Sequence, residues 1–91
     1  MYTWTDNSMD YANKEGRHLA NIGFSMIDAN QTYVVEHTWV SEDARGMGLA
    51  GKITVNFLEH ARAEGKKVLP LCPYTKKFFE KHPEYADLLK A

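Results

Sequence analysis

From His37 to Ile53 the chain reads HTWVSEDARGMGLAGKI, and its apolar period changes halfway. Up to Val40 it continues a run that begins at Thr32. Tyr33, Val34, Val35, Thr38, Trp39 and Val40 give that run the β-branched and aromatic content of a central strand. After Gly48, the positions Leu49, Ala50, Ile53, Phe57, Leu58 and Ala61 recur at i, i+3/i+4 and i+7/i+8, the pattern of an amphipathic helix. Gly65, followed by Lys66 and Lys67, stops it. Between strand and helix lies Ser41 to Gly48, ending in Arg45-Gly46-Met47-Gly48. The first free N–H groups of a helix carry partial positive charge, and glycines let a phosphate approach the backbone with no Cβ in the way. This loop therefore reads as a phosphate cradle.

Downstream, Val68-Leu69-Pro70-Leu71 is a short apolar run two residues past the helix, as the return strand of a βαβ unit would be, with Pro70 implying an edge or an interrupted ladder. Pro73 suits the first turn of a second helix, whose aromatic side is Tyr74, Phe78 and Phe79 and which ends near His82-Pro83; Glu84 to Leu89 gives a last helical turn. Upstream, Leu19, Ile22, Phe24 and Met26 mark a strand from His18 to Ile27, which Asp28-Ala29-Asn30 turns back into the Thr32 strand. A weaker strand lies around Met9 to Lys14. The expected fold is α/β (α+β): antiparallel strands, a βαβ unit and a second C-terminal helix, in one domain over residues 1–91.

Composition narrows the function. With 44% hydrophobic and 25% charged residues, the chain is too apolar for disorder. No apolar run approaches the roughly 18 residues of a membrane span, and the start MYTWTDNSMD has neither a basic patch nor an apolar stretch. A soluble cytoplasmic protein without membrane partners is expected. The single cysteine, Cys72, rules out an intrachain disulfide and a cysteine-cage zinc site, and leaves a free thiol. His18, His60 and His82 share no metal-ligand spacing, so no metal is expected. A formal net charge of -1 argues against a general nucleic-acid binder. The charge is unevenly placed, with two basic against seven acidic residues up to position 44 and nine against five beyond it. A small polyanion held by the second half fits that asymmetry.

Three loop types compete for the cradle. A P-loop is excluded because no GK[ST] ends the glycines. Gly46-Met47-Gly48-Leu49-Ala50-Gly51 matches GxGxxG, yet Ser41 to Arg45 separate it from the strand. The strand after the helix also ends in Leu71-Cys72 with no ribose-binding acid, and the chain has room for only one βαβ unit. The third type, [RQ]-x-x-G-x-[GA], is met by Arg45-Gly46-Met47-Gly48-Leu49-Ala50. With its flanking strand and helix, HTWVSEDARGMGLAGKI resembles the acetyl-CoA loop of the GCN5-related N-acetyltransferases (GNAT). VLPLCPYTKKFFEKHPEY resembles the strand and helix that follow in that family. The similarity runs over about residues 17 to 85 and is nearest to the small single-domain members.

That resemblance implies a minimal GNAT-like fold whose two parallel strands splay apart, and acetyl-CoA as cosubstrate for acetyl transfer to an amine on a protein or small molecule. The backbone of Thr38, Trp39 and Val40 would pair with the pantetheine arm. The amides of Arg45, Gly46, Met47, Gly48, Leu49 and Ala50 would hold the pyrophosphate. The thioester would lie between the Glu36 to Thr38 region and Leu71-Cys72.

The chain departs from the family at two positions. Cys72 falls where the pattern has asparagine, and Phe79 falls where it has the tyrosine that often protonates the departing thiolate, so Phe79 is counted with the acetyl-CoA-binding residues only. Glu36 or His37 is the candidate base, and strand alternation points them to opposite faces. Cys72 is the candidate nucleophile, a thiol at the start of a helix that can take the acetyl group itself. Lys76 and Lys77 are candidates for the adenosine 3′-phosphate. The chain is too short for the elements that complete an acceptor pocket in larger relatives, so the groove is expected to be open or completed by another subunit, as in a homodimer. The rival readings are a non-catalytic acyl-CoA-binding or sensing module and a ligand-free interaction domain.

Overall fold

The computed structural model describes residues 1 to 90. Five strands form one sheet in chain order: β1 (Tyr2–Trp4), β2 (Ser8–Ala12), β3 (His18–Ile27), β4 (Thr32–Val40) and β5 (Lys67–Pro70). The first four are antiparallel neighbours, and β5 runs parallel to β4 through the crossover helix α1 (Leu49–Glu64). A second helix, α2 (Pro73–Lys81), and a 3₁₀ segment, Pro83–Leu88, complete the chain. The bounds of β3 and β4 coincide with the sequence reading. The three-residue β1 was not anticipated; it pairs Tyr2 with Tyr11 and Trp4 with Met9. The turn between β3 and β4 holds Asp28, Ala29 and Asn30 all at positive φ. Asp28 accepts from Thr32 Oγ1 at 3.0 Å and pairs with Lys90 at 3.1 Å, and chiefly through Lys90 its carboxyl is held below the usual carboxylate range.

The inner face of the sheet carries the core. Met9, Ala20, Ile22, Phe24, Tyr33, Val35 and Val68 pack against Ile53, Phe57, Leu58 and Ala61 of α1, all buried in one cluster. Phe57 sits in an aromatic nest, with Trp4, Phe24 and Tyr33 ring centroids 5.0 to 5.7 Å away. The C-terminal segment closes the outer edge of β5. Leu89 bridges Val68, Lys90 N–H donates to Val68 C=O at 2.9 Å, and Arg62 of α1 donates to Glu84 C=O and to Asp87. Among the described residues no helix is long and apolar enough to cross a membrane.

Two irregularities shape the middle of the sheet. Gly23 lies opposite His37 and Phe24 opposite Val35, so Glu36 is an extra residue in β4, a β-bulge. At the same level the β4–β5 ladder stops. It runs from Thr32↔Lys67 to Val35↔Pro70, and Pro70 has no N–H to carry it further. The next two amides, Leu71 and Cys72, both turn onto the single carbonyl of Val35, at 2.9 and 3.0 Å. Beyond this point the strands diverge. Among the described residues, no strand pairs with the edge of β4 from Glu36 to Val40 that faces away from β3.

Candidate active site

The glycine loop lies beyond the end of that free edge. After the 3₁₀ turn Glu42–Ala44, Arg45 is extended, Gly46 has φ 85° and Gly48, the residue capping α1, has φ 71°. Both glycines occupy the left-handed region that L side chains rarely adopt, and an added Cβ at either would project into open space. The first helical bond of α1 is Lys52 N–H to Gly48 C=O at 3.2 Å, and no side chain caps the helix, so the amides of Leu49, Ala50 and Gly51 lack intrahelical acceptors. They border a cavity of about 220 Å³ lined by Val40, Ala44, Arg45, Gly46, Gly48, Leu49, Ala50, Gly51 and Tyr74. That is several times the ~30 Å³ share of one water and suits a phosphate group. Met47 is exposed on the loop. Arg45 folds back, its Nε 3.4 Å from the Val40 carbonyl, so the cradle is mainly backbone. The lead-in is braced by Asp43, which accepts from Ser41 Oγ and pairs with Arg17.

The cavity wall corrects the reading of α2. Tyr74, grouped by the sequence with Phe78 and Phe79 on one aromatic side, is 39% exposed and stands in the wall, its hydroxyl 3.8 Å from where a Gly51 Cβ would be. Burial raises its pKa above the ordinary phenol value, and the neighbouring Cys72 adds to this. Phe79, by contrast, is buried beside Pro70, Lys76 and Leu89, outside the loop cavity. The two candidate lysines part company: Lys77 lines a cavity with Gly51 and Tyr74, while Lys76 faces Pro70 and Phe79.

Cys72 stands where the strands part. It precedes Pro73 at the start of α2, it is 6% exposed, and its Sγ lies 3.6 Å from Thr38 Oγ1 across the split. Burial pushes the thiol pKa up, but the amides of Thr75 and Tyr74 and the Thr38 hydroxyl outweigh it, and the net shift is downward. Thr38 pairs with Ile22, a core residue, and so points to the helix-covered face.

Glu36 and His37 do not alternate as expected. Ser25, on the outer face beside Val34, donates to Glu36 Oε2 at 3.2 Å. The His37 imidazole lies against Gly23, where an added Cβ would come within 2.1 Å of Cε1. Gly23 alternates with the core residues Ile22 and Phe24, so its Cβ direction is also outward. Both side chains are therefore on the outer face and exposed. The bulge at Glu36 shifts the alternation by one and places them together. Trp39, the cross-strand partner of Asn21, also points outward, so only its backbone faces the split. The arrangement has two sides: a thiol, a hydroxyl and the glycine-loop cavity on the helix side, and a carboxylate and an imidazole on the other. No group of three or more His, Cys, Asp or Glu that could hold a metal occurs among the described residues.

A family model described as GCN5-related N-acetyl-transferase matches residues 8–88. A GCN5-like protein from Staphylococcus aureus is similar at 27% identity with a TM-score of 0.77, over 100% of this chain and 88% of that one. An acetyltransferase from the GNAT family from Colwellia psychrerythraea is 23% identical with a TM-score of 0.57, over 70% of this chain but only 24% of the other. A nourseothricin acetyltransferase is 20% identical with a TM-score of 0.55, over 69% of this chain and 38% of its own. These last two share the fold alone, and this chain spans well under half of their length.

Proposed function

Since the chain belongs to the GCN5-related N-acetyltransferase family, we propose that it is an acetyl-CoA-dependent acetyltransferase that acts on an amine through Cys72. The observation that carries this reading is the position of Cys72 where the β4–β5 ladder ends, its sulfur 3.6 Å from Thr38 of the unpaired edge of β4, the strand that leads into the glycine loop. When bound, acetyl-CoA supplies an activated acetyl group. The free amides of Leu49, Ala50 and Gly51 hold its phosphates, Lys77 supplies positive charge nearby, and the unpaired edge of β4 from Glu36 to Val40 offers backbone groups to the pantetheine amides.

As the thiolate, Cys72 takes the acetyl group: its sulfur bonds to the carbonyl carbon as the bond from that carbon to the CoA sulfur breaks. Tyr74, a protonated phenol beside both cavity and sulfur, gives a proton to the departing thiolate, and solvent replaces it. The amine arrives from the outer face and attacks the acetyl-cysteine. Its proton passes to Glu36 or His37, and the Cys72 sulfur leaves as thiolate. The test is an equilibrium titration with acetyl-CoA, with NAD as control, followed by intact mass. Acetyl-CoA binding without NAD binding is expected, with a gain of about 42 Da for one acetyl group replacing a proton. Binding with no mass gain and no transfer to any amine would favour the sensing module, and no binding would leave an interaction domain.

The role of His37 has its own check, because Gly23 makes room for the ring. Gly23 does not sit at positive φ, so the backbone accepts alanine, but the imidazole must move. Gly23→Ala is expected to lower the amine-dependent rate about tenfold, the scale of a displaced general base. It should also shift the His37 ring resonances and add nothing in a His37→Ala background. Equal losses in both backgrounds would assign Gly23 a purely structural part.

A further inference from the structure

Resting on the reading that an amine is acetylated where β4 and β5 part, we propose that the outer face of β2, β3 and β4 docks the acceptor, a polypeptide segment whose target lysine has a second positive charge close by. Two rows of side chains cross this face in register. One is Asp10, Asn21 and Trp39; the other is Ser8, Gly23 and His37. Their neighbours along the strands, Met9, Ala20 and Ile22, are buried in the core, which sends both rows outward. The face offers hydrogen-bond acceptors and π density. Asp10 and Glu36 are carboxylates, held by Ser8 Oγ at 3.1 Å and Ser25 Oγ at 3.2 Å. Trp39 is 45% exposed. The side-chain oxygen of Asn21, between Asp10 and Trp39, is screened from solvent without a hydrogen-bond partner, so a donor that reaches it past Trp39 would satisfy it.

No lysine or arginine belongs to either row. The first 44 residues contain only two, Lys14 and Arg17, and Arg17 is paired with Asp43. Carboxylates, an unsatisfied carbonyl oxygen and an exposed indole together recognise an ammonium or guanidinium group. Strands are spaced at ~4.8 Å, which puts Asp10 on the order of 10 Å from β4. Same-side residues of an extended peptide are ~6.8 Å apart, and lysine or arginine side chains span the rest. A small polyamine would need a concave site that encloses it, whereas this is an open pleated surface three strands wide, which favours a polypeptide.

The test uses the whole protein and two peptides, one with lysine two residues from the target lysine and one with alanine there. In a non-reactive version with arginine for the target lysine, amide shifts on titration are expected to cluster at Asp10, Asn21, His37 and Trp39. Affinity should fall about fivefold in Asp10→Lys and fall again with added salt, with acetyl-CoA affinity unchanged. In turnover the dicationic peptide is expected to show a KM about fivefold below that of its alanine counterpart, a difference that Asp10→Asn reduces. Shifts elsewhere, or no dependence on Asp10 or on the second charge, would overturn the docking face even if the lysine is acetylated. Acetylation of free spermidine with the same Asp10 dependence would overturn the polypeptide occupant. Docking as described with no acetyl transfer would leave this face standing and overturn the reaction instead.

Discussion

Gly48→Ala is expected to weaken acetyl-CoA binding by about a hundredfold, measured by titration, while Gly65→Ala leaves it unchanged. The two glycines have nearly the same backbone, φ 71° and 73°, at opposite ends of α1, and neither has a neighbour that an added Cβ would meet. Either alanine therefore costs the fold about 1–2 kcal/mol of left-handed strain, and the pair controls for stability. They differ in what lies beyond. Gly48 lines the cavity bordered by the free amides of Leu49, Ala50 and Gly51, where an added methyl is expected to compete with a ligand oxygen for space, whereas Gly65 only ends the helix, donating to Ala61 and Arg62. Excluding a phosphate oxygen from two amides forfeits two charge-assisted hydrogen bonds of about 1.5 kcal/mol or more each, which gives the hundredfold. Equal effects of the two alanines would show that the loop serves only to turn the chain.

The second large effect falls on Cys72. Cys72→Ser should abolish the acetylated species in intact mass and lower amine acetylation by at least about a hundredfold, since a serine hydroxyl in this setting stays protonated and no residue is placed to activate it. Acetyl-CoA affinity should hold, because the sulfur lies at the split and not in the cradle. The pH dependence has a definite sign. The thiol pKa is lowered against its burial by the Thr75 and Tyr74 amides and Thr38, so the thiolate fraction rises with pH and saturates earlier than for an ordinary cysteine. The rate of self-acetylation should follow that curve, and Thr38→Val should move its midpoint upward. Turnover unchanged in Cys72→Ser would mean direct transfer from CoA to the amine.

The strands and helices that frame the site were legible because their signals are local. The dense β-branched run of β4 ends at a polar stretch, β3 ends at Asp28-Ala29-Asn30, and α1 is bounded by Gly48 and Gly65. What the sequence hid depends on partners far along the chain. Glu36 is a bulge only because Gly23 and Phe24 stand opposite His37 and Val35, and nothing in TYVVEHTWV marks it. The cost was the wrong alternation for Glu36 and His37. Tyr74 shares its helix face with Phe78 at core-like spacing, and only the packing of α2 beside Gly51 and Thr54 turns it toward the loop cavity. For His37 the missing clue was Gly23, which lies opposite a ring that needs the space.

The strand order carries a kinetic corollary. Neighbours in the sheet are neighbours in the chain, so β1 to β4 form by successive hairpins whose loop-closure cost is small. Only β5 must return across the length of α1, and its arrival brings Cys72 to Val35 and Thr38. Cys72 is thus positioned by the most non-local strand pairing in the sheet, while the face proposed to dock the acceptor is built from its most local ones.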